Sequence, residues 1–228
     1  MIPLKDENQG TAFPLVTIGL IVVNVAVYLY QLTLPESDLN RFIFGYGMIP
    51  AELLGKAPRI HAVIPGSLTL VTAQFVHGGL LHLVGNMLYL WIFGNNIEDL
   101  LGRWRFLFFY LLCGTLAAAA HIILNPLSTL PMVGASGAIA GVLGAYLVSF
   151  PRARVLVLVF VIFFVTTARV PAVIVLGFWF VMQLLYALGD AGGQGTNIAY
   201  MAHIGGFLAG IWLVKKLQPG LKWKKGWK

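Results

Sequence analysis

Residues 134–154 read GASGAIAGVLGAYLVSFPRAR. From Gly134 to Phe150 the run carries no charge, and Pro151, Arg152 and Arg154 close it. Gly137, Gly141 and Gly144 recur at i, i+4 and i+7, which strips side-chain bulk from one face of a helix. An apolar helix with one bare face is built for close helix packing inside a membrane. The composition agrees: the chain has 228 residues, 59% of them apolar and 10% charged. Water-soluble domains carry about a quarter charged residues, so a soluble enzyme or binding module is excluded. The single cysteine, Cys113, excludes a disulfide scaffold and a thiolate metal cage.

Working outward from this run, the apolar blocks predict six spans, each needing roughly 20 helical residues. The first covers Ala12 to Leu32 and reads as a retained span, because no small-residue cleavage site follows it. Thr33 to Val76 mixes charges with aromatics and suits a long interfacial first loop. The second span runs from Leu80 to Phe93 and ends in a polar turn, Gly94 to Asp99. The third covers Phe106 to Leu124 and the fourth Ala135 to Phe150. Val155 to Val165, bracketed by Arg154 and Arg169, is short for a span and reads as an interfacial or re-entrant piece. Pro171 opens a fifth span to Leu188, a Gly-rich loop covers Gly189 to Thr196, and the sixth span runs from Asn197 to Leu217.

Charge sets the orientation. The chain carries +7, and Lys215, Lys216, Lys222, Lys224, Lys225 and Lys228 lie in one terminal stretch. Six spans put that stretch on the same side as Arg103, Arg105, Arg152 and Arg154, the side the positive-inside rule makes cytoplasmic. The basic balance is therefore an orientation and lipid-headgroup signal, with membrane lipids rather than nucleic acid as its partner. The expected organisation is a cytoplasmic segment 1–11, a membrane domain 12–217 and a basic cytoplasmic tail 218–228. An even number of spans puts both termini on that same side, so both are expected on the cytoplasmic face.

Polar groups at membrane depth are costly, so each one asks for a function. No carboxylate lies at mid-depth, which disfavours an aspartyl protease, a carboxylate-driven pump and a carboxylate metal site. No His-Glu-x-x-His stretch offers a zinc site, and neither a metal nor a cofactor is expected. Ser136 and His82 each stand sixteen residues from a cytoplasmic end, and Asn86 and His203 stand twelve. At about 1.5 Å per residue these are heights of roughly 24 and 18 Å, within about two turns of one another. Ser136 sits at a loop-to-helix junction after Gly134, where free N–H groups can face an oxyanion. Gly206 and Gly210 on the sixth span offer a second bare face, able to pack on the Gly137, Gly141 and Gly144 stripe. His203 would then act as base for Ser136, a dyad with no acid to complete a triad. His82 and Asn86, at i and i+4, would supply N–H donors to an oxyanion together with the Ser136 backbone N–H. His77 reads as structural, and His121 as bonding a loop carbonyl or reaching the surface.

The segments His77-Gly-Gly-Leu-Leu-His82-Leu-Val-Gly-Asn86, Gly134-Ala-Ser136-Gly-Ala-Ile-Ala-Gly141 and Ala202-His203-Ile-Gly-Gly206-Phe-Leu-Ala-Gly210 resemble, in that order, the motifs of the rhomboid family of intramembrane serine proteases. Phe93 to Gly102 looks like the prokaryotic branch, which implies a prokaryotic inner membrane. The resemblance implies an all-α, six-transmembrane-helix rhomboid-like bundle with a cavity open to the outer face. It makes Ser136 the nucleophile, His203 the base, and His82 and Asn86 the oxyanion stabilisers. It implies single-pass transmembrane protein substrates, cut near the outer face after a small residue. The alternative is a non-catalytic rhomboid-like protein that binds membrane helices. Ala140 stands where some members stack a Tyr on the catalytic His, so the resemblance names no group that orients His203.

Overall fold

The computed structural model describes residues 2–8, 10–161, 164–190 and 199–218. Most of the Gly189 to Thr196 loop, the expected start of the sixth span at Asn197, and the basic tail from 219 onward lie outside the described residues. In chain order the elements are β1 (Ile2–Asp6), α1 (Leu15–Thr33), α2 (Glu36–Tyr46), α3 (Pro50–Leu53), α4 (Thr69–Thr72), α5 (Leu80–Tyr89), α6 (Asn95–Leu101), α7 (Arg103–Leu124), α8 (Ser136–Ser149), β2 (Arg154–Val161), β3 (Phe164–Pro171), α9 (Ala172–Asp190) and α10 (Tyr200–Leu217). Helix dominates. By length and composition α1, α7 and α9 can each cross a membrane, and α8 is a shorter apolar helix.

The outer helices are two-faced in an unusual sense. On α1 the buried side is Thr17, Leu20, Asn24, Tyr28 and Gln31, at helical spacing, while Val22, Val23, Leu29 and Leu32 are exposed. Polar groups point in and apolar ones point out, the arrangement lipid tails favour and water does not. The protein is an integral membrane protein.

Helix α8 is the centre, buried without interruption from Gly137 to Tyr146. It packs on α10 through glycine. A Cβ added at Gly206 would strike the Gly137 carbonyl, one at Gly210 the Gly141 carbonyl, and one at Gly144 the Phe207 carbonyl. A Cβ at Gly137 would meet Ala117, and one at Gly141 would meet Cys113, both on α7. The glycine stripe thus serves two neighbours, and α7, α8 and α10 close around it.

Three sequence expectations are corrected. The chain is not all-α: β1, β2 and β3 form an antiparallel sheet in that order. Among the described residues of the Val155 to Val165 stretch, Val155 to Val161 lie in strand β2 and Phe164 and Val165 open β3, so the stretch is a strand pairing rather than a re-entrant helix. Val155 and Val157 are fully buried while Leu156 and Leu158 are only partly so, the period-two pattern of a strand. Arg154 pairs across from Pro171 and Arg169 from Leu156, so the two arginines share the open end of one hairpin. The backbone polar groups of β2 find partners on both sides, in β1 and β3.

Nor is Gly94 to Asp99 a polar turn. Helix α5 passes through one π turn, Leu90–Gly94, and continues as α6 to Leu101. Asn96, Glu98 and Asp99 find their partners in distant parts of the chain. Glu98, 3% exposed, accepts from the Val16 and Thr17 N–H groups at 2.9 and 2.7 Å and from the Thr17 hydroxyl at 2.8 Å. Pro14 gives α1 no side-chain cap, so this carboxylate from another helix supplies one. Asp99 binds the Thr11 and Ala12 N–H groups in the same way.

The sheet is held to the bundle by Asp6. Its Oδ2 accepts from the Tyr146 hydroxyl and from Asn96 Nδ2, each at 2.8 Å. Burial raises the Asp6 carboxyl above its ordinary range, and the Tyr146 and Asn96 bonds pull it partly back.

Two outcomes follow. Gly210→Ala should lower Tm in detergent, by a cost of about 1–3 kcal/mol from overpacking against backbone. Gly177→Ala, where nothing lies near the added Cβ, should not. For Asp6 the native state holds its proton to higher pH than the unfolded chain, so its contribution to stability falls as pH rises through the raised pKa. Melting curves across that range should show a decline with rising pH that is flatter in Asp6→Asn.

Candidate active site

The chain leading into α8 is positioned by the first loop. Met48 and Met132 pair as an antiparallel bridge, their N–H···O bonds 3.0 and 2.8 Å long. Two residues on, the Gly134 N–H donates to the Ala73 carbonyl at 2.8 Å. Gly134 has φ +117°, a left-handed backbone that a side chain resists. That kink lets the extended segment turn directly into α8, whose first residue is Ser136.

Across the α8–α10 contact, His203 Nε2 lies 2.8 Å from Ser136 Oγ. Its other ring nitrogen, Nδ1, lies 2.7 Å from Oε1 of Gln183 on α9. An amide oxygen only accepts, so this contact favours the tautomer of neutral His203 with its proton on Nδ1, in which Nε2 accepts from the serine hydroxyl. This is the tautomer a general base requires. Trp179, one turn before Gln183 on α9, lies beside the same imidazole at 6.0 Å between ring centres, tilted by 38°. Phe207 stacks on both Trp179 and Phe180, which ties α9 to α10 one turn below His203.

The α5 side chains close the other flank. A Cβ placed on Gly134 would lie 2.6 Å from His82 Cε1, 2.7 Å from its Nε2 and 3.6 Å from Asn86 Nδ2. Both groups therefore face the backbone two residues before Ser136. His82 is exposed, and Asn86 is buried. Asn86 Nδ2 donates to His77 Nε2 at 3.0 Å, leaving its second N–H free. His77 is 1% exposed and held from three directions. Its Nδ1 lies 3.3 Å from the Phe75 carbonyl, its backbone N–H donates to Gln31 Oε1 at 3.1 Å, and its carbonyl accepts from Gln31 Nε2 at 2.9 Å.

Ser136, His203, His82, Asn86 and Gly134 are therefore brought together from three chain segments. Gly137, Gly141, Gly144, Gly206 and Gly210 line the contacts that allow it. His121 stands apart on α7, 3.4 Å from Asn125. Sequence reading passed over Gln183. A signal was present, since Gln183 is the one amide in the apolar run from Pro171 to Leu188.

A Rhomboid domain model matches residues 66–219. The chain is 30% identical to Rhomboid protein 1, mitochondrial, of Saccharomyces cerevisiae, over 87% of this chain and 53% of that protein. It is 33% identical to presenilin-associated rhomboid-like protein A, mitochondrial, of Danio rerio, over 64% of this chain and 37% of that protein. It is 34% identical to rhomboid protease GluP of Bacillus subtilis, over 65% of this chain and 25% of that protein. The chain thus spans about half the length of these relatives or less.

Gly134→Ala combines a disfavoured φ with a collision against His82. It should destabilise the folded protein by about 1–3 kcal/mol, read as a lower Tm in detergent.

Proposed function

The chain belongs to the rhomboid family, and from that premise we propose that it is an intramembrane serine endopeptidase. The observation that carries this reading is the 2.8 Å contact between Ser136 Oγ and a His203 Nε2 whose tautomer is already set for proton acceptance. Serine is not nucleophilic with its proton in place, and an aligned imidazole removes that obstacle. As Oγ attacks the peptide carbonyl carbon, its proton passes to His203 Nε2. The C–N bond then breaks and Nε2–H protonates the departing amine. Water attacks the acyl-enzyme, gives its proton to Nε2, and the serine hydroxyl is regenerated. The oxyanion of each tetrahedral intermediate would sit among the Ser136 backbone N–H, the His82 ring and the free Asn86 N–H.

In this reading α1, α5 with its continuation α6, α7, α8, α9 and α10 are the six crossing segments, within a membrane domain 12–217. The first loop, α2 to α4, lies in the outer interface. Segments 1–11 and 218–228 then face the cytoplasm, together with the sheet. Substrates are single-pass transmembrane proteins that unwind near the outer face. The relatives include a bacterial protein and two mitochondrial ones, so they support a membrane location and do not favour a prokaryotic inner membrane over a mitochondrial one.

Cleavage of a single-pass substrate in liposomes should fall at least about 1000-fold in Ser136→Ala and in His203→Ala. Asn86→Ala should lose less, because other donors remain. A fluorophosphonate should label wild-type Ser136 and not Ser136→Ala. Cutting that survives in Ser136→Ala rejects the mechanism, and substrate binding without cutting by the wild type makes the chain a non-catalytic helix binder.

A further inference from the structure

We propose that Gln183 is the positioning residue for His203, a neutral third member behind the Ser136–His203 pair. This inference rests on the reading of that pair as catalytic. Gln183 lies near the middle of α9, 8% exposed, with Val181, Met182, Leu184 and Leu185 on either side. An amide buried in an apolar helix is costly unless its polar atoms are partnered. Here Oε1 meets His203 Nδ1 at 2.7 Å, so the cost is offset by a bond to the base itself.

That bond does two things. It confines the Nδ1–H proton to the side away from Ser136, which leaves Nε2 as the acceptor. It also fixes the imidazole plane, which a ring attached through rotatable bonds does not fix by itself. Ala140, on the face of α8 one turn after Ser136, is too small to hold the ring by stacking. The hold comes from α9 instead, through the Gln183 amide and the Trp179 ring one turn away. A neutral amide suits the site better than a carboxylate would. It orients the imidazole without burying a second charge among apolar helices.

The test separates positioning from packing. Gln183→Met keeps length and volume and removes the acceptor. With a single-pass substrate in liposomes, kcat should fall roughly 10- to 100-fold, the loss of one hydrogen bond to a group that becomes charged in the reaction. KM should stay within about twofold, and fluorophosphonate labelling of Ser136 should slow in parallel with kcat. Gln183→Glu, which offers an acceptor oxygen in either protonation state, should recover part of the rate. Imidazole 15N spectra, with the His203 signal assigned by its loss in His203→Ala, should show Nδ1 protonated in the wild type and mixed tautomers in Gln183→Met.

A wild-type His203 protonated on Nε2 overturns the proposal whether or not a Gln183 variant folds. So does Gln183→Met with kcat within about twofold of wild type, or with a raised KM and unchanged kcat. The spectra read the tautomer whether or not the protein cuts. Cleavage surviving in Ser136→Ala would therefore sink the protease reading while leaving the Gln183–His203 bond to be judged on its own.

Discussion

The backbone-to-backbone approach of α8 and α10 is the constraint on which the site depends. A serine hydroxyl reaches barely beyond its Cβ, so an imidazole on another helix meets it only when the two helices nearly touch. Gly206 against Gly137 and Gly210 against Gly141 remove the side chains that would hold them apart. In lipid there is no apolar driving force between helices, and such contacts are the main source of association energy. The residues that stabilise the bundle and those that bring Oγ to Nε2 are therefore neighbours on the same two helices. Stability and geometry cannot be varied independently there.

Around this contact the protein places two supports of different kind. The first loop holds the segment before Ser136 through the Met48–Met132 bridge and the Gly134 bond to Ala73. The His77–Asn86–Gln31 cluster fixes α5 against α1, so the Asn86 amide has one N–H committed and one free. These are hydrogen bonds in surroundings where water competes weakly, which makes each one stiffer than its counterpart on a soluble surface.

Much of this was legible in the sequence, and the reasons for the rest are physical. Helices α7 and α8 could be read within a few residues because each is a long apolar run with a clear stop. That Ser136, His82, Asn86 and His203 come near one another could be anticipated by counting along helices, which needs only a fixed rise. The β2–β3 hairpin was missed because a short valine-rich run has no periodicity that separates strand from helix. Its partner β1 lies some 150 residues away in the chain. Gly94 to Asp99 looked like a turn because its carboxylates and amides seemed to need water. Their partners, Thr11, Thr17 and Asp6, are visible only in three dimensions. Gln183 was overlooked because the fifth span was judged by its apolar average, which hides one amide.

The π turn at Leu90–Gly94 has a consequence for phase. Above it the helix must aim Asn86 at the Gly134 backbone, and below it must aim Glu98 at the foot of α1 and Asn96 at Asp6. Each residue of an α-helix advances the azimuth by about 100°. Widening one turn to take in an extra residue resets that azimuth between the two halves without interrupting the rod. A relative one residue shorter here would keep both motifs intact and still present them out of step, with the donor pointing one way and the anchor no longer beneath α1.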